Sequence, residues 1–429
     1  MTTREHPRLI FGNFVNELMV ATPTARHAQA LVAVSPRKIW LTQPGDVVVL
    51  PTAASEPLWE YACGLLGFAR SEVTCVAAPS EDLLTLTDAV RKSGLTERLR
   101  SLAESIPGLR FQPFALDRPA LDMAAELGLP VDGYDDGKPS ETAVEAVYRV
   151  NTKPGFRDVA AHLGIQVAAG CVAADRDELV TAIRETIASH GGAVVKPVRG
   201  SNGYGVRFLS SEDLSALETL VDAYLSEMSD QPRGWVVEQR LYLARVVTVE
   251  MEVTETGPQV LHVGEMRTPN GSFSGQVTPL EENSPAVDRL TADGLALGHH
   301  LDQLGYRGPF DIDGGITGDG QLYATESNLR RTGATYLDLL VRRFLGTEGA
   351  ARAVWLADSR PGGVMPDFAT GLGLVREAGL AFEPGATEGV VLTADTLAFD
   401  GKWRYLVMGT SHRRVEEIEK HLADVLRLA

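Results

Sequence analysis

The sequence predicts an α/β protein that begins with an open parallel sheet, continues into a small lid region and then carries an acidic β-hairpin. Short apolar strands alternate with helical stretches over roughly residues 1–135, a pattern typical of parallel α/β sheets. A glycine-rich loop follows an apolar strand near residue 196, and two apolar runs between residues 308 and 330 flank a Gly/Asp turn. The first pattern indicates the fold class, and the other two indicate a site for phosphate groups and a metal ion.

Three apolar strands are predicted to form the N-terminal sheet, at Arg8–Phe11, Val47–Leu50 and Val73–Val76. A helix over Ser55–Leu66 lies between the second and third strands, and its helical periodicity places Tyr61 on the outer face. Strands that alternate with helices in this way are expected to pair in parallel.

The glycine-rich loop directly follows the strand that ends at Lys196. Glycines allow positive φ angles and close backbone approach, so such a loop can present N–H groups to an anion, with the lysine beside it as a point charge for phosphates. It is not a Walker loop, and taken alone it also fits an ordinary glycine-rich hairpin. The loop residues assigned to phosphate binding are Gly200, Ser201, Asn202, Gly203 and Gly205.

The acidic hairpin offers oxygen ligands for a metal. Side chains alternate along a strand, so Glu326, Asn328 and Arg330 share one face, and Asp313 on the other arm reaches the same side across a turn predicted at 314–321. Two carboxylates and an amide oxygen are suitable ligands for Mg²⁺, whose remaining coordination positions phosphate oxygens can fill. The guanidinium can bind the oxygens of a transferred phosphoryl group. The alternative is a polar strand face in water.

Two further segments fit a nucleotide site. The strand predicted at 234–241 becomes polar at its end. There the carbonyl near Glu238 and the N–H of Leu241 can form hydrogen bonds with adenine. Lys153 follows a helix predicted over Glu141–Val150 and starts another, which makes it a candidate second phosphate lysine.

The remaining chain adds strands and a final helix. Long strands are predicted over Val246–Val253 and Val260–Met266, with a long turn over Thr268–Gly275 at the cleft. A strand over Trp403–Met408 precedes an amphipathic helix over Arg413–Leu428.

The order of these elements, from Lys153 through Lys196, Glu238 and Asp313 to Arg330, resembles the ATP-grasp superfamily over roughly residues 140–345. Segments 10–14, 308–313 and 330–333, with the C-terminal extension, look like the ATP-grasp peptide ligase of pheganomycin biosynthesis in actinobacteria. The resemblance implies an ATP-grasp fold preceded by an open parallel α/β pre-ATP-grasp domain and followed by an α+β extension. The corresponding domains are 1–138, 139–240 for the lid with its phosphate loop, 241–345 for the catalytic core, and 346–429.

The resemblance also implies roles for individual residues. Lys153 and Lys196 would bind ATP phosphates, Glu238 and Leu241 would contact adenine, and Arg330, with Lys196, would act in catalysis. The implied ligands for Mg²⁺, or Mn²⁺ in its place, are Asp313, Glu326 and Asn328. Many relatives carry an acidic ribose-binding residue near the position of Arg245, so the ribose contact stays unassigned, with Glu250 or Glu252 as a substitute after a local shift.

The activity implied by the resemblance is an ATP-dependent ligase that joins an amino-acid-like carboxylate to the amine of a peptide or amino acid through an acyl phosphate. The setting would be the biosynthesis of a peptide natural product. Formation of one amide on a small amine, a kinase without an amine acceptor, and a non-catalytic ATP-binding protein are the alternatives. No Ser, Cys or His arrangement indicates a covalent enzyme intermediate.

Composition limits the classes of binding partner that we expect. A formal net charge of −17 argues against nucleic-acid binding, because such proteins usually carry a basic surface. Three cysteines without metal spacing fit a reducing compartment, and neither a signal-peptide core nor an apolar run of membrane length is present in the sequence. We therefore expect a cytoplasmic protein with no membrane partner. The sequence does not identify the substrates, and it leaves a homodimer open.

Overall fold

The computed structural model describes residues 6–19, 25–79, 85–200, 203–228, 234–281, 284–363 and 367–429. The strands are β1 (Arg8–Phe11), β2 (Val47–Leu50), β3 (Thr74–Ala77), β4 (Arg110–Pro113), β5 (Gly170–Ala173), β6 (Gly192–Pro197), β7 (Arg207–Ser210), β8 (Trp235–Gln239), β9 (Leu243–Thr254), β10 (Gly257–Arg267), β11 (Gly275–Thr278), β12 (Gly308–Thr317), β13 (Leu322–Asn328), β14 (Val354–Pro361), β15 (Gly389–Asp395) and β16 (Lys402–Gly409).

The helices are α1 (Ala25–Val34), α2 (Glu56–Leu66), α3 (Leu86–Lys92), α4 (Thr96–Ser105), α5 (Arg118–Glu126), α6 (Glu141–Val150), α7 (Lys153–Leu163), α8 (Arg176–His190), α9 (Leu217–Glu227), α10 (Pro285–Gln303), α11 (Thr335–Arg352), α12 (Phe368–Glu377), α13 (Leu397–Asp400) and α14 (His412–Leu426). Short 3₁₀ segments lie at Ser35–Leu41 and Pro269–Gly271, and each contributes a residue to the cavity described in the next subsection. None of the described helices has the length and apolar character needed to cross a membrane.

The N-terminal sheet has the order β3-β2-β1-β4, and each of its pairings is parallel. This confirms the predicted open parallel α/β domain. Every residue of β2 is buried, as expected for a strand covered on both faces by helices. The third strand begins at Thr74, one residue later than predicted.

A larger sheet of antiparallel pairings carries the acidic hairpin, in the order β13-β12-β9-β10-β11-β14-β16-β15. The strands of the C-terminal region continue this sheet through the pairing of β11 with β14. Helix α14 packs on it with Val415, Ile418 and Leu422 buried, in agreement with the predicted amphipathic face.

The predicted turn at 314–321 is wrong in extent. Strand β12 continues to Thr317, and Gly314 and Gly315 pair with Val247 and Val246 of β9. A Cβ at Gly315 would lie 2.4 Å from the Leu243 side chain, so this glycine permits close approach inside a strand rather than a turn. The reversal lies at residues 318–321.

The lid is a separate small sheet in the order β5-β8-β6-β7, covered by α8 and α9. Its central strand β8 runs from Trp235 to Gln239, shorter than the predicted 234–241. The lid has its own hydrophobic core, which includes Leu179, Ile183 and Val237.

Two larger hydrophobic cores join the remaining parts. One connects the N-terminal sheet with β9 and β12, and the other connects Trp40 and helix α2 with the strands β14–β16. Tyr61 of α2, predicted to face outward, is buried in the second core against Trp40 and Phe368. The C-terminal region covers this helix face, which local periodicity does not reveal.

The 3₁₀ segment Ser35–Leu41 buries a lysine. Lys38 is 1% exposed, and its Nζ has no hydrogen-bond partner in the described chain. Its Nζ atom lies 4.4, 5.0 and 5.8 Å from the ring centroids of Phe114, Phe14 and Tyr336.

Candidate active site

A cavity of about 390 Å³ lies between the lid and the larger sheet. The predicted residues that line it are Lys153, Lys196, Gly200, Gly203, Asp313, Glu326, Asn328 and Arg330. Gly205, Glu238 and Leu241 are not among its lining residues. Ser201 and Asn202 lie outside the described residues. The lysines, the acidic hairpin and the arginine are therefore brought together, although the elements that carry them are distant in sequence.

The two lysines approach the cavity from different elements. Lys153 opens helix α7, whose first turn is capped by the hydroxyl of Thr152, and its Nζ lies 3.3 Å from Glu326 Oε2. Lys196 stands near the end of β6, and its Nζ lies 2.5 Å from Glu238 Oε2. Each ammonium group is thus held at a carboxylate, and of the two carboxylates only that of Glu326 lines the cavity.

Glu238 acts as a counterion in this structure. Its carboxylate is 6% exposed and also accepts a 2.6 Å hydrogen bond from Arg157. The Glu238 side chain is therefore bound by both Lys196 and Arg157. Only backbone groups at the end of β8 remain to hydrogen-bond the adenine base. Leu241 lies just after the end of that strand. The adenine contacts of Glu238 and Leu241 stay a prediction.

The glycine-rich loop meets the turn over Thr268–Gly275. Gly203 has φ +75, and a Cβ there would lie 3.2 Å from the Gly271 carbonyl oxygen. An L side chain would be strained at this angle and crowded at this distance. Since Thr268, Gly271 and Phe273 also line the cavity, the loop and the turn both contribute to its wall.

The hairpin register places the acidic residues opposite one another. Asp313 pairs with Glu326 and Asp311 with Asn328, and an irregularity follows Asp313. Asp311 accepts hydrogen bonds from the backbone N–H of Asn328 at 2.8 Å and from its side-chain amide at 2.9 Å. Arg330 donates to Asn328 Oδ1 at 2.6 Å. The amide oxygen of Asn328 is therefore turned toward the cationic side of the site.

Charge crowding sets the electrostatics of the hairpin end. Burial, together with the neighbouring carboxylates Asp311 and Glu326, holds the pKa of Asp313 well above its usual range. Burial alone would raise the pKa of Glu326, but the ammonium groups of Lys153 and Lys196 lower it. Burial raises the pKa of Glu250 to about 8, against the hydroxyl hydrogen bonds from Thr335 and Thr332.

The donor set fits a magnesium ion. In the part of the chain that the structure describes, no three carboxylate, imidazole or thiol groups form a metal site by themselves. Asp313, Glu326 and Asn328 offer two carboxylates and one amide oxygen on facing strands. Crowded carboxylates favour a bound cation, and Mg²⁺ usually takes one or two carboxylates and fills its other positions with water and substrate phosphates.

Three functional candidates were missed or only partly seen in the sequence. Asp311 stands two residues before Asp313 on the same strand face, so the alternation could have revealed it. Glu250 lies opposite Asp311 on β9 and is bound by the hydroxyls of Thr332 and Thr335. Arg37, from the N-terminal region, lines the same cavity, and no local signal indicates this.

Arg37 brings an uncompensated charge to the cavity. Its guanidinium lies 5.3 Å from the Tyr336 ring centroid and 5.5 Å from that of Phe14. No carboxylate among the described residues forms an ion pair with it. Burial lowers the pKa of the Arg37 guanidinium. Because an arginine side chain stays protonated in proteins, the site holds a partly buried cation that is available to an anionic substrate group.

The ribose contact remains unassigned. Arg245 forms an ion pair with Glu265 at 2.6 Å. Glu250 is held by two threonines, as described above, and Glu252 lines a different cavity.

Comparison with known proteins decides the fold family. Residues 35–129 match the family model described as the Pre ATP-grasp domain, and residues 372–422 match the model described as the PGM1 C-terminal domain. An N5-carboxyaminoimidazole ribonucleotide synthetase, solved as its ADP complex, matches with a TM-score of 0.59 at 15% identity over 100% of both chains. The chain has the ATP-grasp fold.

Two curated relatives are also similar to this ATP-grasp chain. The butirosin acyl-carrier protein–L-glutamate ligase of Niallia circulans is 29% identical over 197 residues, 45% of this chain and 46% of the relative. The L-propargylglycine–L-glutamate ligase of Streptantibioticus cattleyicolor is 28% identical over 158 residues, 35% of this chain and 28% of the relative. The match thus spans less than half the length of each of these relatives.

Proposed function

We propose that this ATP-grasp protein is an ATP- and Mg²⁺-dependent ligase that joins a carboxylate to an amine through an acyl phosphate and releases ADP and phosphate. The proposed carboxylate is that of an amino-acid-like molecule, and the proposed amine belongs to a peptide or amino acid of natural-product biosynthesis. The observation that carries the proposal is the single cavity in which Lys153, Lys196 and Arg330 face the carboxylates of Asp313 and Glu326.

The first step forms the acyl phosphate. A carboxylate oxygen attacks the γ-phosphorus of ATP, a new O–P bond forms, the bond to the β,γ-bridging oxygen breaks, and ADP leaves. Lys153, Lys196 and Arg330 stabilise the charge that spreads over the phosphoryl oxygens. Bound Mg²⁺, held by Asp313, Glu326 and Asn328, would supply further neutralisation of that charge.

The lysines can change partners between the free and the bound protein. In this structure Lys153 lies at Glu326 and Lys196 at Glu238. Phosphate oxygens offer each ammonium a charged acceptor in place of these carboxylates. Glu238 keeps its hydrogen bond from Arg157 when Lys196 turns to the nucleotide.

The second step forms the amide. The neutral amine nitrogen attacks the acyl carbon, the C–O bond to phosphate breaks, and the proton lost by the nitrogen passes to the departing phosphate or to water. An acyl phosphate hydrolyses in water, so the site must be covered during both steps. The glycine-rich loop at Gly203 and the turn at Gly271 lie close together, which supports their role as this cover.

Arg37 is the proposed anchor of the carboxylate substrate. It lines the cavity with Arg330 and has no carboxylate partner in the described chain. A guanidinium binds a carboxylate through two parallel hydrogen bonds and so fixes its orientation. Because both curated relatives are named for L-glutamate, that amino acid is the first carboxylate to test.

Isotope transfer tests the proposed reaction. The protein is incubated with Mg²⁺-ATP and ¹⁸O-labelled carboxylates, beginning with L-glutamate and continuing with pools of amino acids, and hydroxylamine serves as the amine. We expect ADP, a hydroxamate and phosphate that carries one labelled oxygen. A kinase acting on a hydroxyl would give no label in phosphate, and AMP with pyrophosphate would contradict the acyl-phosphate route.

A further inference from the structure

Strand β11 brings a buried glutamine to the cavity between the lid and the larger sheet, which we call the reaction cavity. Gln276 is 1% exposed and lines this cavity together with Arg37 and Thr268. Its side-chain nitrogen lies 2.9 Å from His262 Nε2 and donates to the hydroxyl of Thr278 at 3.2 Å. The reaction proposed above gives this glutamine no role.

The tautomer of His262 decides which end of the Gln276 amide faces the protein interior. Burial lowers the pKa of the His262 ring to about 3, so the ring is neutral at physiological pH and carries a single N–H. The carboxylate of Asp338 lies 4.0 Å from Nδ1 and is itself held by Arg342 at 2.6 Å, which favours the proton on Nδ1. The other ring nitrogen is then an acceptor, and the group that faces it must be an N–H of Gln276.

The oxygen of the Gln276 amide is therefore left for the cavity. Both hydrogens of the amide are bound within the protein, one at His262 and the other at Thr278. The oxygen Oε1 accepts no hydrogen bond from the described residues, and it is not enclosed in the protein interior. Because Gln276 lines the reaction cavity, this oxygen faces the space that a substrate would occupy. A carbonyl oxygen fixed in this way binds a hydrogen-bond donor and not an anion.

This oxygen is within reach of a molecule bound at Arg37. A Cβ at Gly333 would lie 3.6 Å from the Phe273 ring and 4.0 Å from both terminal nitrogens of the Arg37 guanidinium, so the ring and the guanidinium are neighbours across this glycine. Gln276 follows Phe273 by three residues, which span at most about 11 Å. A small substrate whose carboxylate binds at Arg37 can therefore present a second polar group to Gln276.

We propose that Gln276 selects carboxylate substrates that carry an ammonium group, which donates to its Oε1, and that His262 is the positioning residue that keeps this oxygen directed into the cavity. A substrate without the donor would leave the buried amide oxygen without a partner, which weakens its binding. The inference rests on the proposed ligase function for the identity of the reaction, but substrate binding can be measured without turnover.

Binding without turnover is the first test. Isothermal calorimetry on the full chain, with Mg²⁺ and a non-hydrolysable ATP analogue, measures the twenty common amino acids, L-glutamate first. The tightest binder is then compared with its desamino analogue, which for L-glutamate is glutarate. We expect the wild type to bind the amino acid at least tenfold more tightly than the analogue, and Gln276→Leu to bind both about equally. Gln303→Leu, at the exposed end of α10, should retain the wild-type preference.

Three results of this measurement would overturn the inference. They are the absence of amino-acid binding, equal affinity of the wild type for the amino acid and its analogue, and a preference that survives in Gln276→Leu. The wild-type comparison needs no variant, so it holds even where a substitution at this buried position fails to fold.

Turnover separates a selecting residue from a structural one. In the hydroxamate assay, Gln276→Leu should raise the KM for the amino acid at least tenfold, while the KM for the desamino analogue stays within about twofold. His262→Phe keeps an aromatic ring against Trp355 but lacks the acceptor nitrogen, so it should change the ratio of the two KM values in the same direction. An equal effect on both carboxylates contradicts the inference while the ligase function stands.

Two further outcomes of the turnover assay are distinct. If Gln276→Leu changes only the KM for hydroxylamine, the oxygen serves the amine and the inference is wrong. If the amino acid is preferred in binding but no hydroxamate forms with any carboxylate, the ligase function is contradicted and the assignment of Gln276 stands.

Discussion

Asn328 donates its backbone N–H and its side-chain amide to one carboxylate, that of Asp311. Both nitrogens of the asparagine are therefore held by the facing strand, and its amide oxygen can only point away from it. That oxygen accepts from Arg330 in this structure, and it is the atom that we expect a metal ion to use. Asp311 thus positions the ligand without being one of the three predicted ligands.

Replacement of Asp311 should weaken metal use. In Asp311→Asn the carboxylate that orients Asn328 is lost, so the Mg²⁺ concentration for half-maximal rate should rise about 10–100-fold. The measurement is a Mg²⁺ titration of ADP formation at saturating ATP. Asp424→Asn, an exposed carboxyl on α14, serves as the matched control. An unchanged Mg²⁺ requirement would show that Asn328 needs no such support.

Replacement of Glu326 tests the metal set itself. The pKa of Glu326 is lowered despite its burial, so the group is ionised at neutral pH and offers a full charge. Glu326→Gln keeps the shape and removes that charge, and we expect kcat to fall about 10²–10³-fold with the fold retained. Turnover is followed by phosphate release, and folding by circular dichroism. Near-normal turnover in the folded variant would remove Glu326 from the ligand set.

Lys196 should act on ATP both before and during the reaction. Lys196→Ala should raise the ATP dissociation constant about tenfold or more and also lower kcat, since its charge acts on bound ATP and on the transition state. Lys196→Arg should restore little, because a planar fork does not replace an ammonium beside Glu238. Isothermal calorimetry measures binding, with the exposed Lys420→Ala as control. Unchanged ATP affinity would place the phosphates elsewhere.

Arg37 should affect the carboxylate substrate and not the nucleotide. A hydrogen bond to a charged group contributes about 1.5–3 kcal/mol, so Arg37→Ala should raise the KM for the carboxylate about 10–150-fold. The KM for ATP should stay within about twofold, a split that general misfolding would not produce. The hydroxamate assay measures both constants, with the exposed Arg413→Ala for comparison. Equal loss for both substrates would argue against a carboxylate anchor.

Lys38 should make stability depend on pH. Burial, with the nearby guanidinium groups of Arg37 and Arg331, holds the pKa of Lys38 well below its usual value. The rings around it favour the ammonium by only about 0.5–2 kcal/mol. Between the lowered pKa and the usual value of about 10.4, the unfolded chain binds a proton that the folded chain lacks. The free energy of unfolding therefore rises with pH in that window.

The variant Lys38→Met should remove this contribution. We expect its free energy of unfolding at pH 7 to exceed that of the wild type by about 1–3 kcal/mol, because an unpaired buried polar group is gone. The difference between the proteins should shrink as pH rises from 7 to 10. Urea denaturation measures both effects, and Lys420→Met is the exposed control. A destabilised Lys38→Met at pH 7 would mean that the buried amine has a partner it needs.

Local patterns predicted the elements whose signal lies within a few residues. The strands Arg8–Phe11 and Val47–Leu50 and the helix Glu141–Val150 match because apolar runs and capping residues are local features. Strand alternation likewise placed Glu326 and Asn328 on one face. The glycines at 314–315 led to the wrong prediction of a turn. A glycine that leaves room for the Leu243 side chain inside a sheet cannot be told from a turn glycine by sequence.

Features that depend on distant contacts were not predictable in this way. Arg37 reaches the cavity only because the segment that carries it packs between the N-terminal sheet and the C-terminal strands, and Trp40 donates to the carbonyl of Thr393 there. The burial of Tyr61 has the same origin. No window of the sequence contains both partners of such a contact.

The division into hydrophobic cores bears on how this protein could be recombined with its relatives. Within the described residues, the lid core is confined to residues 173–237, whereas the N-terminal region belongs to both of the other cores. A chimera that exchanges the lid would leave both larger cores whole, and would carry Lys196 and Glu238 together as a pair. A chimera that exchanges the N-terminal region would cut through both cores and remove Arg37. Of the cavity-lining groups described above, only the glycine-rich loop and Lys196 would move with such a lid, whereas Lys153, Arg37 and the proposed metal ligands would stay with the rest of the protein.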